Sequence, residues 1–169
     1  MGNHAAAHFT IVPAMLTGNW NYGPHIAGDI FQVIGVARPD FDELPSVDDS
    51  MMELVVHEMA HSYVNPLLAA HKAELEPEAA RVFAKVAEPM AKQSYTAWDI
   101  FLNESVVRAI TSLYLRDRRS ASAADAAIAR EEARSFLWTR PIAEMLDKQR
   151  GHFATSVPQL VRVLADADK

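Results

Sequence analysis

Cysteine is absent from the 169-residue chain. Its absence excludes disulfide bonds, thiolate metal sites and cysteine nucleophiles. Positive charge is also in deficit, since 16 lysines and arginines face 22 aspartates and glutamates, for a formal net charge of −6. Nucleic acids and anionic membranes bind clusters of cations. We therefore expect neither as a partner.

Long apolar runs are missing as well, and we expect no leader sequence in the residues given. No run approaches the ~20 apolar residues that a membrane-spanning helix needs, so we expect no membrane segment. The first residues hold no cationic stretch ahead of an apolar one, so we expect no signal peptide in this chain as it stands. A strand pattern begins within the first dozen residues, and we expect that the parent chain could be longer and exported. The compartment stays open, because disulfide-free proteins occur on both sides of a membrane.

The first forty residues have the composition of β-structure. The segments His8–Val12 and Ile30–Val36 are rich in β-branched and aromatic residues. Residues 17–24, between them, are rich in glycine, asparagine and proline, which predicts a long loop. Two strands alone are marginal in water. We expect them to form a small β-hairpin or sheet that packs on helices.

From Ser46 onward, apolar residues recur at helical spacing. Ser46 or Asp48 is the expected N-cap of a first helix, and we expect Asn65-Pro66 to end it. Four more helical segments are predicted. The first covers about 67–91, with interruptions at Pro77 and Pro89, and the second covers 96–118. The third opens at Ser122–Asp125, which resembles a capping box, and must bend or restart past Pro141, and the last covers 157–167. The predicted fold class is α+β, helix-dominated, with about five helices.

The sharpest motif is His57-Glu58-Met59-Ala60-His61, which lies in the first predicted helix. Because a helix turns once in 3.6 residues, His57 and His61 share one face, and two imidazoles can converge on one metal ion. Zinc is the metal that this HExxH pattern indicates, since it lowers the pKa of a water molecule toward neutrality. Glu58 can then take the proton from that water and pass it to a leaving amine.

The alternative is an exposed helix that carries the same residues by accident. Val55 and Val56 argue against it, because apolar neighbours indicate a helix that is at least half-buried, where paired histidines need a partner. A metzincin would continue with glycine and histidine where this chain has Val64 and Leu67, so that subclass is excluded.

A catalytic zinc site needs a third protein ligand. Among the downstream candidates, His71 and the glutamates around Pro77 are expected at the surface. Glu104 instead stands mid-helix among apolar residues, where an unpaired carboxylate is costly. An ion pair with Arg108, one turn further on and without a metal, is the alternative. Beside an HExxH helix, we favour Glu104 as the third ligand and Arg108 as the residue that supports it.

HExxH followed by a glutamate on a second helix resembles the gluzincin peptidases. More narrowly, His57–Pro66, Tyr95-x-x-Trp98 and Glu104–Ala109 are similar to a family of bacterial metallopeptidase-like proteins known only as a domain of unknown function. The resemblance runs from the Asn21-Tyr22-Gly23 loop to Arg150–Phe153, and covers most of the chain. It implies a zincin-like fold with the HExxH helix central, and a long gap before the glutamate, which suits this family because it inserts a helix there.

We therefore expect residues 1–169 to form a single metallopeptidase-like catalytic domain that hydrolyses a peptide or protein substrate. Zn²⁺ is the expected cofactor, held by His57, His61 and Glu104, with Glu58 as general base. Such an enzyme also needs a donor for the oxyanion. The candidates for this role are Tyr22, Tyr95, Arg108 and His152. Asn65 either shares the ligand face with His61 or caps the end of the helix.

A second class of function stays open. The chain could be a catalytically silent, peptidase-like module that binds peptides and keeps a structural metal site. In both cases an extended peptide would pair with an exposed strand edge through backbone hydrogen bonds. The strand Ile30–Val36 is the expected edge, because it precedes the HExxH helix. The oligomeric state stays open.

Overall fold

A computed structural model describes residues 8–14, 21, 23, 25–26, 28–35 and 49–166. Contacts group the chain into two compact units, residues 2–62 and residues 63–169. In the described part the protein is α+β and helix-dominated, with seven α-helices where about five were expected. That all 169 residues act as a single domain stays a prediction.

The first unit contains a three-stranded sheet of β1 (Phe9–Ala14), β2 (His25–Ile26) and β3 (Asp29–Gly35), in the order β1-β3-β2. Both predicted strands are found, each shifted by one or two residues. β1 and β3 run parallel, with Phe9 opposite Ile30 and Ala14 opposite Gly35. A parallel pair cannot be a hairpin, so the predicted hairpin-or-sheet is a sheet.

β3 alternates as a half-buried strand should, with Ile30, Gln32 and Ile34 buried and the residues between them partly exposed. The expectation that this strand forms the sheet edge is wrong, because β3 lies between its two neighbours. β2 pairs with it only at Asp29 and Ile30, in the antiparallel sense. Among the described strands β1 lies at the edge of the sheet, a position where proline is tolerated, as at Pro13.

Helix α1 (Asp49–Ala70) carries the HExxH motif and continues through Pro66. The prediction that Asn65-Pro66 ends this helix is wrong. Val64 and Leu68, one turn apart on either side of the proline, are both buried, whereas Pro66 itself is exposed. Burying that pair offsets the backbone hydrogen bond that the proline removes. The predicted caps Ser46 and Asp48 lie outside the described residues.

The second unit is helical. Its helices after α1 are α2 (Lys72–Ala84), α3 (Ala87–Ala91), α4 (Trp98–Arg118), α5 (Ala121–Ala133), α6 (Thr139–Lys148) and α7 (Val157–Ala165), with a 3₁₀ turn at Phe153–Thr155. α4 packs against α2, α5 and α6, and it buries a row that includes Phe101 and Val106. The long apolar segment predicted over 96–118 is therefore the helix around which this unit is built.

Prolines interrupt these helices less than predicted. Pro77 lies inside α2, on an exposed position, while Leu75 and Ala79 are buried on either side of it, so the predicted interruption there is wrong. Pro89 and Pro141 are third residues of α3 and α6. Backbone N–H groups in a first turn have no intrahelical acceptor, so proline is tolerated there. The predicted restart occurs, but at Thr139, ahead of Pro141 rather than past it.

Across the part of the chain that the structure describes, every helix is too short or too polar to cross a membrane.

Candidate metal centre

The two histidines of the HExxH motif lie one turn apart on α1. Their ring centroids are 5.0 Å apart, and the ring planes meet at 76°. Both side chains are half-buried, and Val55 and Ala60 on the same helix are buried. The apolar neighbours of the motif thus indicated the environment of this helix correctly.

Glu104 lies in the second turn of α4. Phe101 and Val107, on either side of it, are buried, as the sequence around Glu104 indicated. The Glu104 side chain is 14% exposed. One ligand atom from each of His57, His61 and Glu104 lies within 4.8 Å of the others. The two histidines of the motif and Glu104, which was predicted from its apolar sequence neighbours, therefore form a compact group.

This group fits a zinc ion by its chemistry and its size. Two imidazole nitrogens and one carboxylate oxygen are a ligand set that zinc accepts while it keeps a further position open. Tetrahedral ligands at about 2.1 Å from zinc lie about 3.4 Å apart. Atoms within 4.8 Å of one another therefore need to close by at most about 1.4 Å. Small torsional adjustments of three long side chains can supply that movement.

Arg108 lies one turn after Glu104 and pairs with it. Its Nη2 donates to Glu104 Oε2 at 2.9 Å and to the hydroxyl oxygen of Tyr95 at 3.1 Å. The side chain is 10% exposed. The ion pair that was the alternative to a metal ligand is thus present. The carboxylate oxygen that it engages is Glu104 Oε2.

The surroundings of Arg108 and Tyr95 change the acidity of both groups. Burial, together with the nearby charge of Glu104, raises the pKa of Tyr95 above its usual value of 10.0. Burial alone would lower the pKa of Arg108, but the charges of Glu104 and Glu131 outweigh it and raise that pKa. At neutral pH the tyrosine hydroxyl is therefore protonated and the guanidinium charged.

Glu131, on α5, is a residue that the sequence reasoning missed. Its Oε2 accepts a hydrogen bond of 2.7 Å from Arg108 Nη1 and one of 3.2 Å from Arg134. The signal was available, because Glu131 continues the buried row of Ala124, Ala127 and Ile128 at helical spacing. A glutamate on the apolar face of a helix indicates a buried partner.

The other predicted site residues differ in what the structure describes. Glu58 is half-buried on α1. Asn65 is exposed in the interior of that helix rather than at its end, so of its two alternatives the capping role is wrong. His152 is exposed just before the 3₁₀ turn, with its backbone N–H donating to the carbonyl of Gln149. Tyr22 lies outside the described residues.

Fold and site together define a helix-dominated α+β protein with a candidate His-His-Glu metal centre. The chain belongs to the family described as Domain of unknown function (DUF4932), whose sequence model matches residues 1–159. No curated protein and no solved structure matches the chain. The predicted membership of a family of unknown function is thus confirmed, and the metallopeptidase assignment stays a prediction.

Proposed function

We propose that this protein is a zinc-dependent peptidase of zincin-like type, with His57, His61 and Glu104 as the metal ligands. The observation that carries the proposal is the proximity of their three ligand atoms, within 4.8 Å of one another. Glu104 belongs to a different helix from the histidines and was chosen from sequence for an independent reason. A chance cluster would not be expected to join it to an HExxH motif.

Glu58 is the general base and then the general acid. When bound, zinc would supply Lewis-acid chemistry, which acidifies water and polarises the carbonyl of the scissile bond. The Glu58 carboxylate takes the proton of the attacking water and delivers it to the leaving nitrogen. Its place beside His57 and its half-buried position support this role.

Tyr95 is the oxyanion donor that we favour among the candidates. Its hydroxyl oxygen accepts a hydrogen bond from Arg108, which in turn donates to Glu104. The hydroxyl proton is therefore left for another acceptor, such as the oxygen on which charge develops during peptide hydrolysis.

Replacing the general base tests the proposal. The Glu58→Gln variant should lower the rate of peptide hydrolysis by about 10²–10⁴-fold, because the amide cannot accept the proton. Its zinc content should stay unchanged, because the amide keeps the shape of the side chain. The matched control is Glu76→Gln, the same change at an exposed position on α2, which should leave the rate unchanged. The assay uses a fluorogenic peptide library and unfolded casein, with zinc measured in the same preparations.

Each other outcome has a definite meaning. Full hydrolysis by Glu58→Gln would contradict the proposed mechanism. A wild-type protein that binds zinc and peptides from the library but cleaves none of them would replace the peptidase by the peptide-binding module. A wild-type protein that binds no zinc would contradict both.

A further inference from the structure

A guanidinium held between two carboxylates stands next to the candidate metal centre. Arg108 donates from Nη2 to Glu104 and from Nη1 to Glu131, at 2.9 Å and 2.7 Å. The side chains of all three residues are between 10% and 14% exposed. In so little solvent, their charges act on one another with little screening.

Aromatic side chains fix the position of that guanidinium. The central carbon of the Arg108 guanidinium lies 4.3 Å from the centroid of the Phe136 ring, within the range of a cation–π contact. Phe136 is fully buried, and Tyr95 packs edge-on against it. Arg108 is thus built into the helical unit and is not a surface charge that can swing away.

The two carboxylates that contact Arg108 carry more negative charge than its guanidinium can cancel, and this excess favours a bound metal cation. If Arg108 paired with Glu104 alone, one positive charge would cancel the charge of the carboxylate. Glu131 adds a second negative charge, so the three largely buried side chains carry a net charge of −1. Arg134 also donates to Glu131, and Arg130 lies 4.0 Å from it, but these side chains are 46% and 56% exposed and are therefore screened by water.

We infer that Glu131 is a positioning residue of the metal centre: it balances the charge of Arg108, so that Glu104 stays an effective anionic ligand for a divalent cation. This inference rests on the proposed function in taking Glu104 as a ligand. Glu131 acts only through Arg108. Groups that hold and polarise a ligand in this way tune metal affinity by about 10–100-fold.

The test is the zinc affinity of Glu131→Gln, measured by competition with a chromophoric chelator. The amide keeps an oxygen that can accept from Arg108 but removes the charge. The zinc dissociation constant should rise by about 10–100-fold. The matched control is Glu132→Gln, the next residue of α5, whose carboxylate lies 3.5 Å from Arg140. Its dissociation constant should stay within about twofold of wild type, because it lacks contact with Arg108 in the described ion pairs.

A double variant separates charge balance from a structural role and stays informative if Glu131→Gln does not fold. Arg108→Gln together with Glu131→Gln removes the cation and its counter-charge at once, which buried pairs often tolerate. The double variant should bind zinc at least about threefold more tightly than Glu131→Gln, and within about tenfold of wild type. If Glu131 merely joined α5 to α4, the second substitution would restore no affinity.

Zinc binding by the wild-type protein separates a wrong role for Glu131 from the absence of a metal centre. Tight zinc binding by wild type with an unchanged dissociation constant in Glu131→Gln would overturn the inference alone. A double variant that binds as weakly as the single variant, or more than about tenfold more weakly than wild type, would overturn it as well. A wild-type protein without zinc affinity would overturn both.

Discussion

Glu104 is a carboxylate in an apolar setting, and such a residue must be paired or bound to a metal. The sequence predicted its environment because the residues around it are apolar at helical spacing, and the structure buries Phe101 and Val107 beside it. The sequence also predicted its partner Arg108, which lies one turn away on the same helix. Contacts within one helix follow from spacing alone, so these two features were predictable.

The contact between Glu131 and Arg108 could not be predicted from the sequence. It meets Arg108 from another helix, so the contact depends on how α5 packs on α4. The apolar row on α5 indicated that Glu131 is buried, but no spacing along the chain identifies its partner. The same limit applies to Tyr95, which reaches Arg108 from the segment before α4.

Tyr95 gives a prediction for alkaline pH. Its pKa in the folded protein lies above the usual 10.0, so the folded state holds the phenolic proton more tightly than the unfolded state does. This contribution to the free energy of unfolding is complete below pH 10.0 and is lost as the pH rises through the folded-state pKa. Urea unfolding between about pH 8 and about pH 11 should therefore show a steeper loss of stability for wild type than for Tyr95→Phe. Parallel losses in the two proteins would contradict the assigned environment of Tyr95.

At the scale of elements, the sequence alone did not predict which prolines interrupt a helix. Proline rules predicted a break at Pro66 and at Pro77, yet α1 and α2 continue through both. Buried apolar pairs one turn apart bridge each of these prolines, and local rules do not count that tertiary gain. Pro141 stands in the first turn of α6, where a proline is tolerated, so the predicted restart occurs but begins at Thr139, ahead of the proline.

The parallel pairing of β1 and β3 could not be derived from the sequence either. Strand composition located both segments, but composition does not determine direction. The short β2 explains part of the difference, because it takes the antiparallel place beside β3 that a hairpin partner would occupy.

The cap of α5 provides a test at the same scale. The sequence favoured Ser122 as the start of a capping box, whereas the structure has Ser120 as the N-cap, with its hydroxyl oxygen accepting from the backbone N–H of Ala123 at 3.1 Å. Ser120→Ala should lower the free energy of unfolding by about 1 kcal/mol. Ser122→Ala should lower it by less, about 0.5 kcal/mol, because it removes only the exposed hydrogen bond between the hydroxyls of Ser122 and Ser120. Urea unfolding of both variants measures the difference, and a larger loss in Ser122→Ala would favour the sequence-based cap.

At the scale of the whole molecule, the lack of cysteine limits the metal chemistry. With no thiolate available, a protein zinc site must use nitrogen and oxygen, and His57, His61 and Glu104 offer those atoms. Membership of the DUF4932 family covers most of the chain but assigns no activity. The functional account therefore depends on whether these three residues hold a metal.

The zinc content of the purified protein, measured by elemental analysis after dialysis, tests that claim most directly. Wild type should retain about one zinc ion per chain, and Glu104→Ala should lose it under the same conditions, because two histidines alone do not complete the site. The control Glu78→Ala, which removes a glutamate that pairs with Arg81 on α2, should retain the metal. Wild type without zinc, or a Glu104→Ala variant with undiminished zinc content, would contradict the account.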